Sequence, residues 1–226
     1  MIRCCYGHVT SVQTIALDSL EGVRAAETPP NTNPRIRVTD VRLLSDNWYT
    51  LHTTTFDMQA ADGSWSSQSR ETYDRGNGAT ILLYDVDRRT VLLTSQFRYP
   101  AYVNGHPDGM LLETAAGLLD DDDPETAIRR EAVEETGHRV GEVTHVFDAF
   151  MSPGSVTERL HFYAAPYDAG TREHAGGGLA HEGEHITLVE LDIDAALDMV
   201  DGGAIIDAKT IMLLQWAVLR GPFAAR

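Results

Sequence analysis

What the chain has little of narrows its class first. Its 226 residues include a single lysine, Lys209, and 18 basic side chains in all against 34 acidic ones, a net charge of −16 with histidine neutral. A surface that acidic repels a phosphate backbone and an anionic lipid face, which argues against nucleic-acid wrapping and membrane binding. An acidic protein that handles phosphates is expected to do so through metal ions. Cysteine is nearly missing: Cys4 and Cys5, adjacent and close to the start, are the only two, so no disulfide framework is encoded and no oxidising compartment is indicated. No apolar run approaches the ~18 residues of a membrane span. Residues 1–8 lack the apolar core of a secretory signal, so cytoplasmic residence is the expectation. Apolar residues make up 42% and charged residues 23%, close to soluble globular usage, which disfavours wholesale disorder. The length fits one globular domain, alone or with an arm.

Residues 1–34 show no clear period and close on Pro29, Pro30 and Pro34. They read as a poorly ordered arm ending in a linker, or as sequence upstream of the true start. Residues 35–75 read as accessory strands. Ile36–Leu43 partly alternates, Trp48–Phe56 is rich in β-branched and aromatic residues, and Ala61-Asp62-Gly63 is a hairpin turn leading into Trp65–Tyr73. Residues 76–226 read as the main domain. Short apolar runs at Ala79–Tyr84 and Thr90–Thr94 flank a second turn, and Met110–Thr114 is a further strand. Pro124–Thr136 is the first convincing helix, with proline in its first turn, Glu125 complementing the dipole and Gly137 at the C-terminal cap. Strands follow at Val143–Phe150, Leu160–Ala165 and His185–Leu191, the last preceded by a flexible Ala175–Gly178 loop. Helices follow at Ile193–Asp201 and Asp207–Leu219. This order predicts a mixed α+β domain without internal repeats.

The first helix carries carboxylates among its apolar residues. With Ala127 at zero on a helical wheel, Glu131 falls near ~40°, Glu135 near ~80°, Ile128 near ~100° and Ala132 near ~140°, with Glu134 at the edge near ~340°. Arg129 and Arg130 point elsewhere. Half-buried, mutually repelling carboxylates cost several kcal/mol unless a cation compensates. A divalent cation is the simplest compensation, since hard cations take carboxylate oxygens. The plainer alternative is a solvated acidic face with Glu–Arg pairs, which leaves the apolar flanks unexplained. The run Asp120–Asp123 is not a calcium loop of the EF-hand type. Counted from Asp120, the sixth position is Glu125 rather than glycine, and Pro124 intrudes. It reads as a solvated loop before the helix.

Arg130-Glu131-Ala132-Val133-Glu134-Glu135-Thr136-Gly137 resembles the core of the Nudix box, G-x5-E-x7-R-E-U-x-E-E-x-G-U, where U is a bulky aliphatic residue. The upstream half departs from it: Ala116 stands at the glycine position, Asp122 at the first glutamate, and Gly117 comes one residue late. His138 replaces the final aliphatic residue. Further stretches, among them Tyr73–Tyr84, Gln96-Phe97-Arg98, Ala116–Asp120 and Met151–Gly154, resemble the branch of GDP-mannose and ADP-ribose pyrophosphatases, in which the same Ala-Gly-Leu-Leu-Asp shift occurs. The resemblance covers roughly Val41 to Leu219.

The resemblance implies a Nudix α/β/α sandwich that cleaves a nucleoside diphosphate sugar at its pyrophosphate with water and Mg²⁺, Mn²⁺ being an admissible substitute. It implies Glu131, Glu135 and the Ala116 carbonyl as metal ligands, with Glu134 as the remaining box carboxylate. It implies a further ligand or base from the loop before the last strand, Glu184, with Glu182 as runner-up. Glu135, Glu184 and Glu134 are thus the expected catalytic residues. Arg98 is expected on the diphosphate, Trp48 on the base, and Gly117, Leu118, Glu158 and Lys209 against the substrate. Arg70 and Glu71 are expected to reach it from the partner of a homodimer. The plain alternatives are a surface ion pair for Arg98, a core aromatic for Trp48 and solvated strand residues for Arg70 and Glu71. Zinc at His174, His181 and His185 is disfavoured, because the glycines around them argue against the helix that His181 and His185 would need. GDP-mannose, giving GMP and mannose 1-phosphate, is the first substrate and ADP-ribose the second. A non-catalytic nucleotide-sugar sensor is the rival from another class, and an acidic scaffold fails on the buried carboxylates.

Overall fold

The computed structural model describes residues 33–178 and 185–224. The arm expected at 1–34 therefore lies almost wholly outside the described residues, as do His181, Glu182 and Glu184. The chain divides into two compact units, one ending at Asp74 and one beginning at Arg75.

The first unit is a three-stranded antiparallel meander, β1 (Ile36–Asp46), β2 (Thr50–Gln59) and β3 (Trp65–Asp74). Threonines at 50, 53, 54 and 55 supply the β-branched content that favours a pleated ribbon. The β2–β3 turn is the one expected from Ala61-Asp62-Gly63: Gly63 has φ +87, and Ala60 N–H donates to the Ser64 carbonyl at 2.8 Å. The second strand begins two residues later than its composition suggests. Trp48 sits in the bend before it and is 82% exposed, so it is not the core aromatic of the plain alternative. Its neighbour Tyr49 stacks edge-on against Tyr73 at 5.8 Å.

The second unit is built on a mixed seven-stranded sheet. Its strands are β4 (Gly78–Asp85), β5 (Thr90–Phe97), β6 (Met110–Glu113), β7 (Ala115–Leu118), β8 (Thr144–Phe150), β9 (Arg159–Pro166) and β10 (Thr187–Asp192). They run in the order β10-β5-β4-β9-β8, with β6 added to β5 and β7 to β4. Among the described strands, only β4 and β9 pair in parallel. Helices α2 (Pro124–Thr136), α3 (Ile193–Asp201) and α4 (Ala208–Leu219) cover it, and a short α1 (Tyr99–Val103) follows β5.

The apolar runs in the central strands are explained by helices on both faces. Leu82, Leu93 and Phe162 point into one core with Ile193 of α3 and Leu213 and Leu214 of α4. Ile81, Leu83 and Tyr163, one step out of phase, point into a second core with Ile128 and Ala132 of α2. Phe162 is fully buried, and burial of such a side chain contributes ~1.5–3 kcal/mol. This is the α/β/α sandwich.

Helix α2 spans the residues expected for it. Asp123 caps it by accepting from the backbone N–H groups of Glu125 and Thr126, and Gly137 closes it at φ +75. Two elements had no clear signal. Strand β7 hides inside the Ala-Gly-Leu-Leu-Asp motif, and α1 is too short to show a period.

Candidate active site

Strand β7 lies antiparallel to β4, with Ala116 opposite Thr80 and Gly117 opposite Ala79. Helix α2 packs across it. The Glu131 side chain rests directly on Gly117: a Cβ built on Gly117 would come within 2.6 Å of Glu131 Cγ and closer still to its carboxylate. A side chain at 117 would push the Glu131 carboxylate off this seat. The glycine that comes one residue late in the box motif is therefore the one that seats the box's first helix carboxylate. Glu135, one turn on from Glu131, is 3% exposed.

Arg130 does not point away from this face, as the helical wheel suggested. Its guanidinium stands 3.4 Å from Glu131 and 4.0 Å from Glu134, and it also faces Asp120 at 3.8 Å and Asp122 at 3.5 Å. Arg129 does turn outward, to Glu125 and to the carbonyls of Val140 and Gly141. The Asp120–Asp123 loop thus both caps the helix and shares its central arginine.

The Ala175–Gly178 run, expected as a flexible loop, is tied to the end of α2 in its described part. Gly177 N–H donates to the Glu135 carbonyl at 2.8 Å and Gly178 N–H to the Glu134 carbonyl at 3.2 Å. A Cβ on Gly176 would meet the backbone of Glu135 and Thr136, so glycine is required for this approach. Glu184 lies outside the described residues. His174 accepts from Gly176 N–H and His185 is exposed.

Arg98 and Lys209, named separately by resemblance, meet on one carboxylate. Glu113, at the end of β6, accepts from Arg98 Nε at 3.0 Å and Nη2 at 2.6 Å, and Lys209 Nζ lies 3.4 Å away. Lys209 also faces Asp207 at 3.0 Å. Asp207 accepts from the backbone and hydroxyl of Thr210, whose hydroxyl accepts from Thr114 N–H at 2.7 Å, so α4 is locked to the β6–β7 junction. Burial works against the Arg98 charge, but its bonds to Glu113 and the fields of Glu113, Glu135 and Asp207 outweigh that, so the guanidinium stays protonated. Sequence reasoning missed Glu113. Its signal was present: a carboxylate between Leu112 and Thr114, in a strand otherwise apolar, raises the same question as the carboxylates of α2.

Glu158 lies beside Gly78, which pairs with Leu118, and forms an ion pair with Arg75 at 3.5 Å. The second unit therefore brings together Ala116, Gly117, Leu118, Glu131, Glu134 and Glu135 around the β7–α2 packing, with Glu158 beside β4 and Arg98 and Lys209 on Glu113. Arg70 and Glu71 belong to the first unit, exposed on β3, where Arg70 donates to Gln68 and the Ser69 carbonyl. Trp48 belongs to that unit too.

Carboxylate and carbonyl oxygens are the ligand types that hard divalent cations take, and the packed Glu131 over Gly117 holds one such group in a set position. With that donor chemistry goes a family. Residues 74–214 match the model of the NUDIX domain, and residues 35–73 match that of the GDP-mannose pyrophosphatase NudK N-terminal domain. The chain belongs to the Nudix family and is a Nudix hydrolase. It is similar to the GDP-mannose pyrophosphatase of Pectobacterium atrosepticum, with 56% identity over 84% of this chain and 97% of that protein. It is 54% identical to the enzyme of that name from Yersinia enterocolitica, over 82% of this chain and 97% of that protein. The Escherichia coli counterpart is 51% identical over 77% and 91% respectively.

Proposed function

We propose that the chain is a homodimeric, Mg²⁺-dependent pyrophosphatase of GDP-mannose, releasing GMP and mannose 1-phosphate. The observation that carries this reading is the Glu131 carboxylate seated on Gly117, with Glu135 buried one turn further along. Its relatives' common name supplies the substrate. Glu131, Glu135, the Ala116 carbonyl and Glu184 are the groups that would hold the cation. When bound there, Mg²⁺ offsets diphosphate charge and lowers the pKa of a bound water.

The chain's own residues take the remaining roles in this reading. Arg98, braced on Glu113, presents its guanidinium to the diphosphate, a pairing favoured by the fork geometry of arginine. Lys209 adds a second positive charge on the same brace. Glu184 or Glu134 accepts the proton of the attacking water. Gly117 and Leu118 offer backbone to the substrate, Glu158 a carboxylate and Trp48 a stacking face, while Arg70 and Glu71 serve the second copy's site.

The test is product release from GDP-mannose, ADP-ribose, GDP-glucose and NADH, with and without Mg²⁺, beside light scattering for the dimer. The expected result is metal-dependent release of GMP and mannose 1-phosphate, faster than any other hydrolysis. Faster cleavage of ADP-ribose would overturn the base and sugar. Binding of the panel by folded, Mg²⁺-loaded protein without turnover would make it a sensor instead.

A further inference from the structure

A second ligand cluster lies across the sheet from the β7–α2 packing, in one cross-strand row with it: Gly117 pairs with Ala79, Ala79 with His161 and His161 with Asp148. His145 and Asp148 come from β8, the last strand in the sheet order, and His161 from β9. His145 Nε2 is 2.7 Å from Asp148 Oδ1, and His161 Nδ1 is 2.8 Å from the same oxygen. All three ligand atoms lie within 4.8 Å of one another, and among the described residues this is the only such group of histidine, cysteine and acidic side chains.

A regular strand would not make this cluster. Side chains alternate faces along a strand, so residues 145 and 148, an odd number apart, should point to opposite sides. The β8–β9 register slips between His145 and Phe147: His145 pairs with Tyr163, Phe147 with Phe162 and Asp148 with His161, so Val146 is the extra residue of a bulge. The bulge restores the phase. His145, Asp148 and His161 then share one face with Tyr163, against whose ring His145 packs at 5.3 Å, while Phe147 turns to Phe162 at 4.5 Å on the other. His161 is nearly buried, with its side chain 11% exposed, whereas His145 at 51% leaves the cluster open to solvent. One anchored ligand, one carboxylate and one accessible ligand are the parts of a site an ion can enter.

We propose that His145, Asp148 and His161 form a binding site for a borderline-soft divalent metal of the Zn²⁺ class, separate from the carboxylate site. Two imidazoles and one carboxylate suit Zn²⁺, Co²⁺ or Ni²⁺ and suit Mg²⁺ poorly, because Mg²⁺ prefers oxygen ligands alone. Three protein ligands leave a coordination position for water. Without metal, the carboxylate accepts from both imidazole N–H groups; with metal, the ion takes the place of those two protons. Bound metal would clasp β8 to β9 across the bulge.

The test is calorimetric and thermal titration of the whole protein with Zn²⁺ under saturating Mg²⁺, which occupies the oxygen-ligand site. Co²⁺ serves as the spectroscopic probe. His145→Ala removes the exposed ligand, and Asp148→Asn checks the carboxylate while keeping its shape. The expected result is a Zn²⁺-binding component that raises the melting temperature and gives a Co²⁺ visible band, both lost or weakened at least ~10–100-fold in each variant, the loss that even an outer-sphere partner's removal causes. Zn²⁺ affinity, thermal shift and Co²⁺ spectrum that are the same in wild type and both variants would overturn the proposal. So would the lack of any Zn²⁺ binding by wild type under Mg²⁺. In either case the cluster is a hydrogen-bonded clasp only.

Discussion

Two parts of the second unit bury carboxylates, and they are neutralised differently. Glu113 has its side chain 4% exposed and is met by two cations of the chain itself, Arg98 through two nitrogens and Lys209 beside them. On α2, one guanidinium, that of Arg130, is spread over Glu131, Glu134, Asp120 and Asp122 at 3.4 to 4.0 Å. A buried ion pair is sound only when partners are close and well aligned. By that measure the Glu113 cluster is closely paired among the described residues, whereas the carboxylates around Arg130 share it at longer range. The first arrangement braces two side chains, and the second suits a cation from outside.

The comparison can be broken at its catalytic end, where the largest effect is expected. Glu135→Gln should lower kcat/KM at saturating Mg²⁺ by ~100-fold or more, at least what loss of a supporting metal partner costs. In chelator the same variant should melt at or above the wild-type temperature, because a buried negative charge one helical turn from Glu131 is gone. A variant with wild-type turnover would remove Glu135 from the site. Glu113→Gln should show the opposite pattern. Removing one partner of a buried ion pair strands the others, and a loss of ~3 kcal/mol is expected, the low end for buried pairs since Arg98 is partly solvated. Urea unfolding measures it, and an unchanged midpoint would mean that Glu113 is not a brace. KM should rise in the same variant, with Arg98 and Lys209 no longer held together.

Most of the scaffold was legible in the sequence for reasons that can be named. Helix α2 carries Pro124, Asp123 and Gly137 at the positions that start and stop a helix, so its ends needed no tertiary information. The β2–β3 turn followed from Gly63. The α2 carboxylates stood out because Ile128 and Ala132 flank them. What was not legible depends on contacts distant in sequence. The late Gly117 matches the shift of the branch by resemblance, but its physical reason, the Glu131 side chain lying on it, comes from 14 residues along the chain. The clustering of Arg98, Glu113 and Lys209 joins three elements. The β8 bulge that aligns His145 with Asp148 leaves no mark in composition. Arg130 was misplaced because a wheel fixes where a Cβ points and not where a long side chain reaches.

His138 sharpens the comparison from a third direction, with the smallest effect. It follows Gly137, where the box has an aliphatic residue, and it is 6% exposed with its ring edge-on to Tyr167 at 5.1 Å. Its Nδ1 lies 2.9 Å from the Thr171 hydroxyl. Burial, together with the nearby Arg172, pushes its pKa below the ordinary value of 6.5, against the opposing pull of Asp168 and Glu190. The protein thus handles this buried titratable group by keeping it uncharged, so a histidine can serve where an aliphatic residue is usual. The sign follows from that depression. Above 6.5 the imidazole is neutral folded or unfolded, and its contribution is fully present. As pH falls below 6.5 the unfolded chain takes up the proton first and stability drops, until the folded pKa is passed. One proton limits the slope to about 1.4 kcal/mol per pH unit. His138→Leu should therefore flatten the fall in stability just below pH 6.5 relative to wild type, leaving the region above it parallel. Equal slopes for the two proteins in urea unfolding across that window would show that His138 takes up its proton as readily folded as unfolded, so that burial does not keep it uncharged.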